Sequence, residues 1–258
     1  MSLKILRRSL PNWGWGYGPP GEGPFPAIML LHGSEGSRSG MIYRTAAILA
    51  AHGFLAMAFP YSNGRNSSDI IDVPLDRTAE ALSTLRSWRL VGNKIGLYGI
   101  SRGAEHALLL ASLMARDGVA GLPDAIAVHT PPDVICGAFN SRMWRDSGDP
   151  GWRPWDPADR AWSWRGSSDE LLPTTAIEIE RFDGPIFFSH GTRDATWSVE
   201  MTHRLWDRMK LHGRTPEVNL YEGEGHAVNS DVENQHNEQL IDFFGRHLSY
   251  HEPASARG

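Results

Sequence analysis

From residue 26 onward the chain alternates short, continuous apolar runs with longer segments whose apolar residues recur every three or four positions. Pro26-Ala27-Ile28-Met29-Leu30-Leu31 predicts a strand, followed by a helix from Met41 to His52, a strand from Phe54 to Phe59 and a helix from Pro74 to Leu90. The last rests on Leu75, Ala79, Leu82, Leu85 and Trp88 falling on one helical face, with proline suited to a first turn. Strand Lys94 to Tyr98, helix Arg102 to Ala115 and strand Asp124 to His129 continue the series. After a break it resumes with strand Ile186 to Ser189, helix Val199 to Leu211, strand Glu217 to Tyr221 and helix Glu233 to Leu248, with Gly213 as a stop after the second of these helices. Strands apolar on both faces and separated by helices predict a mostly parallel sheet with helices on both faces and right-handed crossovers. Residues 1–25, rich in glycine, proline and tryptophan, predict an edge strand and an irregular lead-in, and the polar tail from His251 to Gly258 is expected to fray.

The break runs from Pro131 to about Glu180. Pro131-Pro132 ends a strand, and Trp144, Trp152, Trp155, Trp162 and Trp164 follow, half of the ten tryptophans of the chain. So long a stretch of weak periodicity inside a compact domain points to a functional segment. The expectation is a single domain, 1–258, with 131–180 inserted as a lid or cap over the carboxyl end of the sheet. Its tryptophans would line an apolar acyl or aryl pocket, the alternative being that they fill irregular packing.

Composition narrows the function. A net charge of −5 and a pI near 6.1, without a lysine or arginine run, argue against nucleic acid as a partner. The single cysteine, Cys136, excludes an internal disulfide and any CxxC pattern, and reads as a small buried side chain. No run approaches ~20 apolar residues, and Pro11-Asn12-Trp13-Gly14 interrupts any leader-like core, so a cytoplasmic protein with no membrane span is expected. His129, His203 and His236 lack paired-ligand spacing, so no metal is expected, and no cofactor.

The chemistry-bearing stretch is Gly99-Ile100-Ser101-Arg102-Gly103, between a predicted strand and a predicted helix. A serine on such a turn is forced into strained geometry, and the flanking glycines keep side chains away from it. Two further residues lie just past strand ends in the order Ser, Asp, His: Asp194, three residues beyond Gly191, and His226, after Glu222-Gly223-Glu224-Gly225. That order assigns Ser101 as nucleophile, Asp194 as acid and His226 as base. Asp133 is the rival acid. The loop His32-Gly33-Ser34-Glu35-Gly36, also past a strand, supplies an oxyanion donor assigned to the backbone N–H of Ser34, with the N–H of Arg102 as the second. His32 and His190 are expected to hydrogen-bond under loops, Glu105 to steady a neighbouring loop, and the Arg102 side chain to be exposed.

Three stretches resemble one family: Tyr98-Gly99-Ile100-Ser101-Arg102-Gly103-Ala104-Glu105-His106-Ala107-Leu108, Ile179-Glu180-Arg181-Phe182-Asp183-Gly184-Pro185-Ile186 and Gly223-Glu224-Gly225-His226. They are similar to the C-terminal catalytic domain of the acyl-CoA thioester hydrolase and bile acid-CoA:amino acid N-acyltransferase family, with dienelactone hydrolase-like proteins as relatives. The resemblance covers roughly residues 25–249. It implies an α/β-hydrolase fold and the same three residues, Ser101, Asp194 and His226. It also implies cleavage of a small-molecule ester or thioester, since transferase members tend to carry cysteine where Ser101 stands. Acyl transfer to an amine or alcohol, peptidase activity and a non-catalytic binding role are the alternatives.

Overall fold

The computed structural model describes residues 4–10, 14–62, 69–146, 151 and 153–248, without the side chains of 144–146. Eight strands form the main sheet: β1 (Leu6–Leu10), β2 (Gly14–Gly18), β3 (Phe25–Leu31), β4 (Leu55–Phe59), β5 (Val91–Ile100), β6 (Ala125–His129), β7 (Ile186–Gly191) and β8 (Glu217–Tyr221), in the spatial order β1-β2-β4-β3-β5-β6-β7-β8. All pairs from β4 across to β8 are parallel, whereas β2 runs antiparallel to β4 and to β1. The expected lead-in is therefore an edge hairpin. Its glycines make it look irregular in sequence, yet Gly16 is where the strands crowd, since a Cβ there would lie 2.7 Å from the Ala56 carbonyl oxygen.

Alternate residues of β3 explain the two-sided burial. Ala27, Met29 and Leu31 join a core with α2 (Asp76–Arg86), α3 (Arg102–Arg116) and α4 (Val199–Leu211). Ile28 and Leu30 face the opposite layer, formed by α1 (Gly40–Ala51) and α5 (Ser230–Leu248) through Ile42, Leu49, Phe243 and Phe244. Both faces of a strand are thus apolar, which is why the parallel strands read as unbroken hydrophobic runs.

Helix boundaries differ from expectation where hydrogen bonds outside the helix ladder decide them. α2 starts late because Val73–Pro74 pairs with Trp162–Ser163 as a two-residue parallel bridge. α5 starts early because the Asn229 side-chain oxygen accepts from the N–H groups of Asp231 and Val232 at 2.9 and 3.1 Å, an N-cap worth about 1 kcal/mol.

The insertion is not a separate layer. It pairs with the stretch before α2 and packs along α3, through Trp162–Ser163 on Val73–Pro74 and through an isolated bridge between Ile70 and Phe139. Among the described residues, no helix is long and apolar enough to cross a membrane.

Candidate active site

Ser101 stands between β5 and α3 with φ 53° and ψ −117°, a conformation that costs a non-glycine residue on the order of 1–3 kcal/mol. Close packing enforces it. A Cβ at Gly99 would lie 2.2 Å from the Gly103 carbonyl oxygen, and one at Gly103 would lie 2.2 Å from that of Leu31, so the turn folds only with both glycines.

Three strand ends bring the expected residues together. Ser101 Oγ lies 2.9 Å from His226 Nε2, and His226 Nδ1 lies 2.7 Å from Asp194 Oδ2. The approach of the last two depends on Gly191, at the end of β7. A Cβ there would lie 2.4 Å from the Gly225 carbonyl oxygen, so the loop carrying His226 crosses β7 where no side chain intervenes. Arg193 N–H donates to the Glu224 carbonyl at 2.8 Å and fixes that crossing.

Asp194 is buried. Burial alone would raise its carboxyl, but hydrogen bonds from His190 and His226 and the backbone N–H of Trp197 outweigh burial and hold it below the usual carboxylate range. It stays ionised, able to fix the His226 tautomer with the proton on Nδ1. The rival Asp133 is engaged elsewhere, paired with the Arg204 guanidinium.

The loop from His32 to Gly36 packs directly on the turn, since a Cβ at Gly33 would sit 3.2 Å from Ser101 Cβ. Ser34, in that loop, is buried. Arg102 is the first residue of α3, so its backbone N–H has no intrahelical acceptor and points from the helix N-terminus.

Two residues of the site carried no assignment in the sequence. Trp197 donates its indole N–H to Ser101 Oγ at 3.2 Å. The only hint was its place three residues past Asp194. Glu35, inside the loop from His32 to Gly36, accepts from the Gly33 N–H at 2.9 Å. Burial raises its carboxyl, opposed by hydrogen bonds from its own N–H and that of Gly33.

Several expectations are corrected. The Arg102 side chain is 1% exposed instead of open to solvent, and it pairs with Glu105 at 3.2 Å. Glu105 steadies a neighbouring loop, as expected, accepting from the Cys136 N–H and from the Trp162 indole, both at 2.7 Å. Trp162 is fully buried against this pair, and Trp164 is spent on Asp117 at the far end of α3, so neither lines a pocket beside Ser101. Long-range carboxylate partners, invisible in sequence, drew them inward. Trp155 is half-buried against Gly137, while Trp152 and the Trp144 side chain lie outside the described residues. His32 and His190 hydrogen-bond under their loops. Cys136 is buried, as its type suggests.

A cavity of about 230 Å³ opens beside His226, walled by Ile42 and Thr45 of α1, Ile100, Val228 and His236. Among the described residues, no cluster of three or more His, Cys, Asp or Glu has the arrangement of a metal site.

The sheet order, the serine turn and the two loops that converge on it define an α/β-hydrolase fold. Within that class, residues 159–250 match the family model described as BAAT / Acyl-CoA thioester hydrolase C terminal, and the chain resembles the catalytic domain of those enzymes. It is 30% identical over 226 residues to mouse acyl-coenzyme A thioesterase 6, covering 81% of this chain and 50% of that protein. It is also 30% identical over 228 residues to rat acyl-coenzyme A amino acid N-acyltransferase 2, with the same coverage of 81% and 50%. The chain thus spans about half the length of these curated relatives. Among solved structures, a putative dienelactone hydrolase from Klebsiella pneumoniae superimposes with a TM-score of 0.64 at 14% identity, over 95% of this chain and 100% of that one.

Proposed function

We propose that this protein is a serine hydrolase that cleaves a carboxylic ester or thioester through an acyl-enzyme. The observation that carries the reading is the unbroken line of contacts from Asp194 through His226 to Ser101. A serine hydroxyl is too weakly acidic to ionise near neutrality, so His226 takes its proton as Oγ attacks the carbonyl carbon. Asp194 stabilises the imidazolium that forms. The backbone N–H groups of Ser34 and Arg102 receive the charge on the carbonyl oxygen, a typical donor contributing ~3–4 kcal/mol at the transition state. His226 then protonates the departing oxygen or sulfur. In the second half-reaction water loses a proton to His226 and attacks the acyl carbon, releasing the acid and Ser101.

The site of proton delivery orients the substrate. The leaving group lies on the His226 side, where the cavity of about 230 Å³ lies. A cavity of ~150 Å³ holds benzene, so this one suits a ring or short chain next to the scissile bond. Residues 1–258 act as one domain in this reading, with Cys136, Gly137 and Trp162 of the 131–180 segment bracing the turn through Glu105 and Arg102.

The similarity to an N-acyltransferase favours one second reading: transfer of the acyl group to an amine or alcohol by the same residues. Acyl-CoA, p-nitrophenyl ester and lactone substrates are assayed with wild type and Ser101→Ala, with product analysis in the presence and absence of glycine or an alcohol. Hydrolysis that falls at least ~10³-fold in Ser101→Ala is expected. Retention of more than a few per cent of activity would overturn the nucleophile, and an acyl-glycine or acyl-alcohol product would favour transfer.

A further inference from the structure

Trp197 is 2% exposed, and its polar groups all act at the site. Its indole N–H reaches Ser101 Oγ at 3.2 Å, its backbone N–H donates to Asp194 Oδ1 at 3.0 Å, and its carbonyl accepts from His190 Nε2 at 2.9 Å. One residue thereby grips both ends of the Asp194–His226–Ser101 line. The indole N–H is a donor only and never accepts. Ser101 Oγ must therefore offer it a lone pair, which leaves the hydroxyl proton to point at the remaining partner, His226 Nε2. With Asp194 ionised and holding the proton on Nδ1, Nε2 is an acceptor, so a single arrangement of protons satisfies every group in the line.

We propose that Trp197 is a catalytic residue: its indole N–H locks the Ser101 hydroxyl onto His226 and stabilises the negative charge that gathers on Oγ as its proton leaves. The same bond persists on the ester oxygen of the acyl-enzyme and helps Ser101 depart during deacylation. A tryptophan present only for packing would contribute bulk, and phenylalanine supplies most of that bulk without the donor. A hydrogen bond to a group gaining charge is worth roughly tenfold or more in rate.

The inference rests on Ser101 being the nucleophile, and a fluorophosphonate probe tests both separately. In labelling, the Ser101 Oγ–phosphorus bond forms, the phosphorus–fluorine bond breaks, fluoride leaves and His226 takes the proton, so no knowledge of the natural substrate is needed. Wild type should be labelled at Ser101, Ser101→Ala should not, and Trp197→Phe should be labelled about tenfold more slowly with an unchanged circular dichroism spectrum. Absence of labelling in wild type overturns the nucleophile and this inference with it. Equal rates in wild type and Trp197→Phe overturn the role of Trp197 alone. Should Trp197→Phe fail to fold, the indole ¹H–¹⁵N resonances of wild type and Ser101→Ala are compared. A resonance that moves upfield on loss of Oγ supports the bond, and an unchanged set overturns it.

Discussion

Trp164 donates its indole N–H to Asp117 Oδ2 at 2.8 Å, and Asp117 caps the carboxyl end of the helix whose amino end is capped by Ser101. At 1.5 Å per residue the two ends are roughly 24 Å apart. Trp164 therefore belongs to the packing of α3 and is remote from Ser101. Trp164→Phe should leave the ratio of kcat/KM between short and long acyl esters unchanged within about twofold, while lowering stability by about 1 kcal/mol through the lost hydrogen bond. A tenfold change in that ratio would contradict this placement.

Glu105 and Arg102 form a pair with 0% and 1% side-chain exposure, and three further groups of the insertion use them: the Cys136 N–H, the Trp162 indole and the Gly137 carbonyl, which accepts from Arg102 Nη2 at 2.9 Å. Removing one partner of such a pair strands the other charge away from water, at a cost of about 3–5 kcal/mol. Glu105→Ala should show that loss in urea unfolding, and Glu105→Leu combined with Arg102→Met should recover much of it. A double variant as unstable as Glu105→Ala would show that the hydrogen bonds to the insertion, and not the buried charge, dominate.

His32, His106 and His236 are buried with lowered proton affinity, the first and last pushed down to about 4 and His106 to about 3, burial being the main cause for each. In the unfolded chain each takes a proton near pH ~6.5, whereas the folded protein refuses it until the pH is far lower. The unfolded state thus binds more protons between these limits, and stability falls as pH drops through that window. The loss from pH 7.5 to 5 is about 2 kcal/mol per histidine. His106 is enclosed by Tyr61, Trp162 and Thr78. His106→Gln, which can keep a hydrogen bond to Thr78, should flatten the decline in urea midpoint with falling pH. A decline as steep as in wild type would exclude His106 as a contributor.

Val228 walls the cavity beside His226 from a loop and is half-buried, so a larger side chain there fills the space with little disturbance of the sheet. With the acyl group held constant, Val228→Trp should lower kcat/KM for aryl leaving groups at least about tenfold relative to methyl or ethyl leaving groups, the equivalent of ~1.4 kcal/mol of lost contact. With the leaving group constant, the acyl preference should stay as it is. A change in acyl preference instead would move the acyl group into this cavity.

Much of this architecture is written in local pattern. The strands from Phe25–Leu31 to Glu217–Tyr221 are legible because helices cover both faces of the sheet, and the serine turn because its glycines are demanded by backbone contact. The fates of Trp162 and Trp164 are not local. Each depends on a carboxylate 57 or 47 residues away, and nothing in the spacing of the tryptophans reveals that their N–H groups have buried acceptors. Trp197 escaped for a related reason. Its partner Ser101 is 96 residues distant, and only the folded sheet brings the two strand ends together.

The joint among Arg102, Glu105, Trp162 and residues 136–137 bears on how this protein can be re-engineered. Segments inserted over hydrolase sheets invite treatment as interchangeable modules, swapped to reprogram selectivity. Here the acceptors and donors of the insertion are wired into the first turn of the helix that carries Ser101. A transplanted segment lacking a tryptophan and a backbone N–H at the right places would leave Glu105 with Arg102 alone, one helical turn from Ser101. Loop and turn must therefore be exchanged together.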